Sequence, residues 1–284
     1  MNAPEKMSAT ADAADAADAA ANGTALRYVL CDDRDAVATL TLNRGDRLNP
    51  LSSKMIAALT AELKRIGADA SIRAVVIAGA GRGFCAGHDM KEIHAHPDAA
   101  WQQGLFDACA AMMLAIVKLP QPVIARVHGV AAAAGCQLVS MCDLAVAVPE
   151  AKFALSGIHN GLFCSTPAVG VARNINRKRA MEMLVTGDLI DAGTARAWGL
   201  VNRVVPFDAL DAEITKLTDA IKAKSGAAIA LGKGAFYQQI DMGLIDAYDL
   251  AGRTMTCNLQ DADGIEGVDA FVTKRKAVWK GRST

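Results

Sequence analysis

Net charge is absent from this sequence: 30 Lys plus Arg stand against 30 Asp plus Glu in 284 residues. That balance argues against a nucleic-acid-binding surface spread over the whole chain, since phosphate binding needs a basic excess. Cysteine is sparse. The seven, at 31, 85, 109, 136, 142, 164 and 257, are odd in number and form no CxxC. A disulfide scaffold and a structural zinc site are both poor fits, and the usage suits a reducing compartment. No apolar run approaches the roughly 18 residues a spanning helix needs, so no membrane span is expected. Residues 1–22 contain no arginine and no apolar core segment. Neither a mitochondrial presequence nor a secretory signal is expected there, and the expected location is the cytoplasm.

The common nucleotide and hydrolase motifs are missing too. GAGRGF at 79–84 follows a strand pattern, but the dinucleotide fingerprint needs glycine where Phe84 stands. GKG at 232–234 lacks the rest of a phosphate-binding loop, and there is no G-x-S-x-G and no H-E-x-x-H. The histidines at 88, 94, 96, 128 and 159 have no metal-ligand spacing, so no metal site is expected.

What is present is an apolar fraction of 52%, enough for a sizeable core. Residues 1–22, Ala- and Asp-rich, read as a disordered tail. Strand and helix patterns then alternate over 23–206. Strands are expected at 25–31, 36–42, 73–78, 123–127 and 143–148, and helices at 51–67, 99–118 and 131–141. Helical patterns dominate afterwards, most clearly at 176–185, 190–197, 207–224, 236–257 and 264–276. The order is an α/β core over 23–206 and a helical region over 207–284.

Two glycine-containing turns carry the chemistry. GRGFCAGHDMKEI at 81–93 follows one strand and precedes a helix. HGVAAAAGCQL at 128–138 follows another and opens a helix of tiny side chains, which permit close backbone approach. Peptide N–H groups at such turns are unpaired, and two of them aimed at one oxygen stabilise negative charge developing on a carbonyl. Two ordinary capping turns are the alternative reading.

The chain resembles the enoyl-CoA hydratase/isomerase (crotonase) superfamily. The matching stretches are LNRGDRLNPLS at 42–52, RAVVIAGAGRGFCAGHDMKEI at 73–93, PVIARVHGVAAAAGCQLVSMCDLAVAVPEAKFA at 122–154, AMEMLVTGDLIDAGTARAWGLVNRVVP at 180–206 and EGVDAFVTKRKAVW at 266–279. GHDMKE, AAAAGCQL and NGLFCSTPAVGVAR at 160–173 are similar to the branch of the animal enoyl-CoA hydratase domain-containing protein 3. The resemblance implies an α/β spiral of ββα units with a C-terminal helical trimerisation region, assembled as a homotrimer or a dimer of trimers. It implies a coenzyme A thioester as substrate or ligand, with no separate cofactor. The oxyanion donors would be the backbone N–H groups of His88 and Ala134.

The family's hydratases use two glutamates around a water. Their positions fall here on Gln137, which cannot accept a proton at ordinary pH, and on Gly157, which has no side chain. Fast hydration is therefore not expected. The resemblance then implies an acyl-CoA lyase or isomerase of the hydratase/isomerase type that relies mainly on its oxyanion hole, slow hydration with a water held by Gln137 included; decarboxylation of a malonyl-type thioester, and acyl-CoA binding without turnover, stand as alternatives. Ser156, His159 and Asn160 lie where the second glutamate would be, and His159 is the general-base candidate by type. Cys164 and Ser165 are read as pocket lining, Asp89 as a helix cap, Glu92 as a solvated or ion-paired face, and Asp143 as a brace near the site. For the coenzyme A rim the resemblance suggests Arg44, Arg47, Lys91, Phe271 and Lys274, the last within KRKAVWK at 274–280.

Overall fold

The computed structural model describes residues 27–281. The tail expected over 1–22 lies outside the described residues. The chain runs β1 (Val29–Arg34), β2 (Val37–Leu42), α1 (Ser53–Ala68), β3 (Ala74–Gly79), α2 (Met90–Ala95), α3 (Ala99–Lys118), β4 (Val123–Val127), β5 (Ala131–Ala132), α4 (Ala134–Met141) and β6 (Leu144–Ala147). It continues through β7 (Lys152–Ala154), α5 (Ser165–Asn174), α6 (Arg177–Thr186), β8 (Ile190–Asp191), α7 (Ala192–Trp198) and β9 (Arg203–Val204). Then come α8 (Leu210–Lys222), α9 (Gly226–Gln239), α10 (Leu244–Gln260) and α11 (Ala262–Val272).

The larger sheet has six strands in the order β1-β2-β3-β4-β6-β9. β1 pairs antiparallel with β2, and every later pairing in it is parallel. The alternation in β2 sets its register: Ala38, Leu40 and Leu42 are buried, while Val37, Thr39 and Thr41 are partly exposed. β3 is buried along almost its whole length, as its run Ala-Val-Val-Ile-Ala requires. The smaller sheet has three strands in the order β5-β7-β8.

Helix α1 starts where the Ser52 hydroxyl accepts a hydrogen bond from Met55 N at 3.2 Å. It buries Met55, Ile56, Leu59, Leu63 and Ile66, at the spacing of one helical face. Helix α3 is long and apolar enough to cross a membrane by length and composition. Its stripe Leu105, Cys109, Met112, Met113 and Ile116 is instead buried in the protein core. Each such fully buried side chain contributes about 1.5–3 kcal/mol.

The α/β core followed by helices agrees with the order read from the sequence. Several local expectations differ: the strand expected at 25–31 begins at Val29, Ile190–Asp191 is a strand ahead of its helix, and the helix expected at 264–276 is Ala262–Val272. Residues 131–133 form a short strand and a turn, because Ala131 pairs with Phe153 before the helix begins. The single helix expected over 236–257 is two, broken at 240–243, where Gly243 becomes the N-cap of α10. Helix α9 itself, with glycines at 226, 232 and 234, was hidden by its low-propensity residues.

Candidate active site

The site is built by fastening two turns together. After β3, Asn49 holds the first turn from below. Its fully buried amide donates to Ala80 O, Gly83 O and Phe84 O at 2.9, 3.0 and 3.1 Å, and its Oδ1 accepts from Arg44 N at 2.8 Å. Sequence reasoning passed over Asn49. Its φ of 52° lies in the left-handed region that asparagine tolerates, but φ is not visible in a sequence, and no sequence signal marks the residue.

The second turn then closes on the first. Phe84 N and Cys85 N both donate to Val130 O, at 3.0 and 3.1 Å, and Ala132 N donates to Cys85 O at 2.9 Å. Gly135 lies directly on this seam, where a Cβ would overlap Cys85 O. Ala133 N is tied to Ala154 O at 2.9 Å. Ala133 itself has φ 48° and ψ −118°, a strained conformation for a residue with a Cβ. That turn leads directly into the first N–H of α4.

Two donors are left over. Leu51 N takes Gly87 O at 2.7 Å, and Ala86 N takes Leu48 O at 2.9 Å. Among the described residues, neither His88 N–H nor Ala134 N–H donates a hydrogen bond. They are neighbours: a Cβ on Gly87 would stand 3.3 Å from Ala134 N. Gly87 also has φ +99°, so glycine suits this position twice over.

Two neutral side chains flank the donors. The His88 ring packs edge-on against Phe106, with centroids 5.4 Å apart at 84°. Its Nε2 is buried without a partner among the described residues, and burial lowers its pKa from 6.5 to about 4. The imidazole is therefore uncharged at neutral pH. Gln137 follows Ala134 by about one helical turn and is 4% exposed, with Oε1 buried and unpartnered among the described residues.

The His88 shift predicts an acid-sensitive fold. Between pH 6.5 and about 4 the unfolded chain takes up this proton and the folded chain does not. Stability from this group is full above about pH 6.5 and is lost as pH falls toward 4. Thermal melts of His88→Gln should decline less over that interval than those of the unsubstituted protein. Parallel declines would refute the shift.

The segment expected to face the donors is tightly closed on itself. Residues 156–160 form a 3₁₀ turn in which Gly157 N donates to Cys164 Sγ at 3.3 Å. A Cβ at 157 would stand 2.6 Å from Leu162 O and 2.8 Å from Cys164 Sγ. Cys164 is buried, and burial raises its pKa, so it packs as a small apolar group. The structure does not bring His159 to the two donors. Its exposed ring places Nε2 3.1 Å from Gly187 O, in the turn after α6. A nitrogen facing a carbonyl carries the proton, so this atom braces a turn. Ser156 is half-buried, Asn160 is exposed, and Ser165 Oγ donates to Phe163 O at 3.3 Å.

Other expectations sort in the same way. Asp89 caps α2 through Lys91 N and Glu92 N, at 2.9 and 3.3 Å, as its residue type suggests. Glu92, expected on a solvated or ion-paired face, instead accepts from Ser53 N at 2.9 Å and from the Ser53 hydroxyl. Arg44 is corrected: only 4% exposed, it lies over Tyr28 at 5.6 Å and beside the exposed Asp46 at 3.6 Å, so its own guanidinium is enclosed and not presented to solvent. Arg47 sits 3.5 Å from Asp46, and the Lys91 side chain is exposed. Phe271 is 85% exposed near the end of α11, and Lys274, with φ 55°, follows it. Within 274–280, Arg275 is committed to Glu266 and Asp269. Among the described residues no group of three or more His, Cys, Asp or Glu could hold a metal ion.

The sequence profile of the family described as enoyl-CoA hydratase/isomerase matches residues 32–282. The rat enoyl-CoA hydratase domain-containing protein 3, mitochondrial, is 39% identical over 246 residues, covering 87% of this chain and 82% of that protein. The crystal structure of an enoyl-CoA hydratase from Mycobacterium smegmatis superposes with a TM-score of 0.87 at 53% identity, covering 89% of this chain and 98% of the other. That of the human domain-containing protein 3 gives 0.87 at 38% identity, covering 89% and 100%. The rat protein and its mouse, frog, human and zebrafish counterparts are all named as mitochondrial. The cytoplasmic location expected from the sequence therefore does not stand. That expectation rested on residues 1–22 lacking the pattern of a presequence or a signal, and a missing pattern does not fix a compartment.

Proposed function

The chain belongs to the enoyl-CoA hydratase/isomerase family, and from that premise we propose that its unbonded N–H groups at His88 and Ala134 hold the carbonyl oxygen of an acyl-CoA thioester. The observation that carries this reading is the juxtaposition of two idle backbone donors by a seam of hydrogen bonds that engages their neighbours. A thioester enolate concentrates charge on that oxygen, so fixed donors stabilise it more than the ground state.

Among the described residues this site offers no carboxylate at the two positions where the family's hydratases are expected to carry one. Gln137 is an amide, position 157 is glycine, and His88 is neutral but deeply shielded. A reaction that supplies its own electron pair suits such a site. In a malonyl-type thioester, breaking the bond to the carboxylate releases CO2 and leaves those electrons as the enolate, which a proton then quenches. Binding without turnover is the other reading, and product analysis separates them.

Purified protein should turn over crotonyl-CoA at well below about 100 s⁻¹, a rate within the range of competent enzymes. Mass analysis of incubations with crotonyl-CoA and methylmalonyl-CoA checks this, and fast hydration would sink the reading. In a thioester complex the carbonyl oxygen should lie about 2.7–3.1 Å from the nitrogens of residues 88 and 134.

Assembly follows from the C-terminal helices. Leu244, Ile245, Tyr248 and Phe271 are 75%, 80%, 72% and 85% exposed, an apolar surface that a lone chain leaves in water. The proposed state is a trimer built through α9–α11, or two such trimers stacked. Light scattering giving a monomer at every concentration would refute it.

A further inference from the structure

We infer that Lys233 and Tyr237 on α9, acting through Asp143, are positioning residues that hold α4 and hence the Ala134 donor in place. The inference rests on the proposed role of that N–H. Lys233 and Tyr237 are one helical turn apart and share a face of α9. Both end on one carboxylate. Lys233 Nζ lies 2.6 Å from Asp143 Oδ2, and the Tyr237 hydroxyl donates to Asp143 Oδ1 at 2.9 Å. Val123 N, at the start of β4, donates to the same carboxylate at 2.7 Å.

The ammonium has further partners. It donates to Ile116 O and Gln121 O, both at 3.0 Å, in the last turn of α3 and the loop after it. The Lys233 side chain is 7% exposed and that of Asp143 15%, so this is an interior joint. It gathers the ends of both helices that serve the site. Asp143 follows Cys142, the C-cap of α4, whose first residue is Ala134. Helix α3 carries Phe106, which touches the His88 ring.

Helix α4 has eight residues, about 12 Å of rigid rod, and is buried from Ala134 to Ser140. A rod packed on all sides has little freedom to bend, so displacement at its C-terminal end reaches its N-terminal end. The C-terminal helices thereby bear on a donor with which they need share no contact. A joint that only adds stability would lack this effect, and the two cases can be told apart at the thioester oxygen.

The experiment compares acetyl-CoA with S-ethyl-CoA, a thioether without the carbonyl oxygen, by calorimetry. The ratio of the two affinities isolates the donors. Full-length protein should prefer the thioester by about tenfold or more, the scale of a charge-directed donor pair. Tyr237→Phe removes one oxygen and should cut that preference at least about threefold while thioether binding holds, because small misplacements of a donor are costly. Lys233→Met should do the same more strongly, and if it fails to fold Tyr237→Phe decides alone. A Tyr237→Phe protein that melts lower yet keeps the full preference would overturn the positioning role and leave the oxyanion reading intact. No preference in the unsubstituted protein would overturn both.

Discussion

Gly135→Ala is expected to cost about 3 kcal/mol, the upper end for forcing an extra carbon into packed structure, and to remove most thioester binding. A Cβ there overlaps Cys85 O and stands 2.7 Å from the Cys85 carbonyl carbon. Both neighbours are backbone, and both belong to the turn that carries His88. Relief means moving the turns apart, which separates the two donors. Urea unfolding with calorimetry on acetyl-CoA checks both halves. Gly104→Ala is the control: nothing lies within 4 Å of its Cβ position on α3, and removing a helical glycine should stabilise by up to about 1 kcal/mol. A Gly135→Ala protein as stable as its parent would show that the seam is not tight.

The second large effect is at Asp143. Asp143→Ala should lower the unfolding free energy by about 3–5 kcal/mol, because it strands a buried ammonium. Lys233 Nζ keeps only carbonyl acceptors, while Val123 N and the Tyr237 hydroxyl lose theirs. Burial already lowers the Lys233 pKa, and the carboxylate is what offsets this. Against a typical total of about 5–15 kcal/mol the loss is a large share. The urea midpoint should fall at constant slope, and a loss under about 1 kcal/mol would contradict the account. Asp143→Asn, which keeps an acceptor, should lose less.

Much of this was legible because the physics is local. The strand periods of 36–42 and 73–78, the run of small residues at 131–136 and the CD pair before β6 all announce themselves in sequence. The two donor turns were found for the same reason: a glycine, a strand before and a helix after. What escaped depends on distant partners. Arg44 reads as a surface cation until Tyr28 and Asp46 enclose it. His159 reads as a base until Gly187 O, 28 residues on, takes its proton-bearing nitrogen. Lys233 looks like any lysine in a helix until its 90-residue reach to Asp143 is seen. Side-chain direction is the missing variable in each case. No spacing rule supplies it when the partner is far along the chain.

The closed space at Gly157 makes this sequence hard to turn into a hydratase. Any larger residue there meets Leu162 O and Cys164 Sγ together, one a main-chain atom and the other a buried thiol. A single codon change toward glutamate at 157 would be penalised by packing before it could be rewarded by chemistry. Glutamate at 137 alone would gain an acid with no opposite number. On the proposed reading, the first step at 157 is penalised, the first step at 137 gains nothing by itself, and a hydratase would need both glutamates together with a shifted 162–164 loop. Laboratory selection for hydration, starting from this gene and accepting one substitution at a time, should therefore stall. Libraries that randomise 137, 157 and 162–164 jointly are where a hydratase would have to be sought.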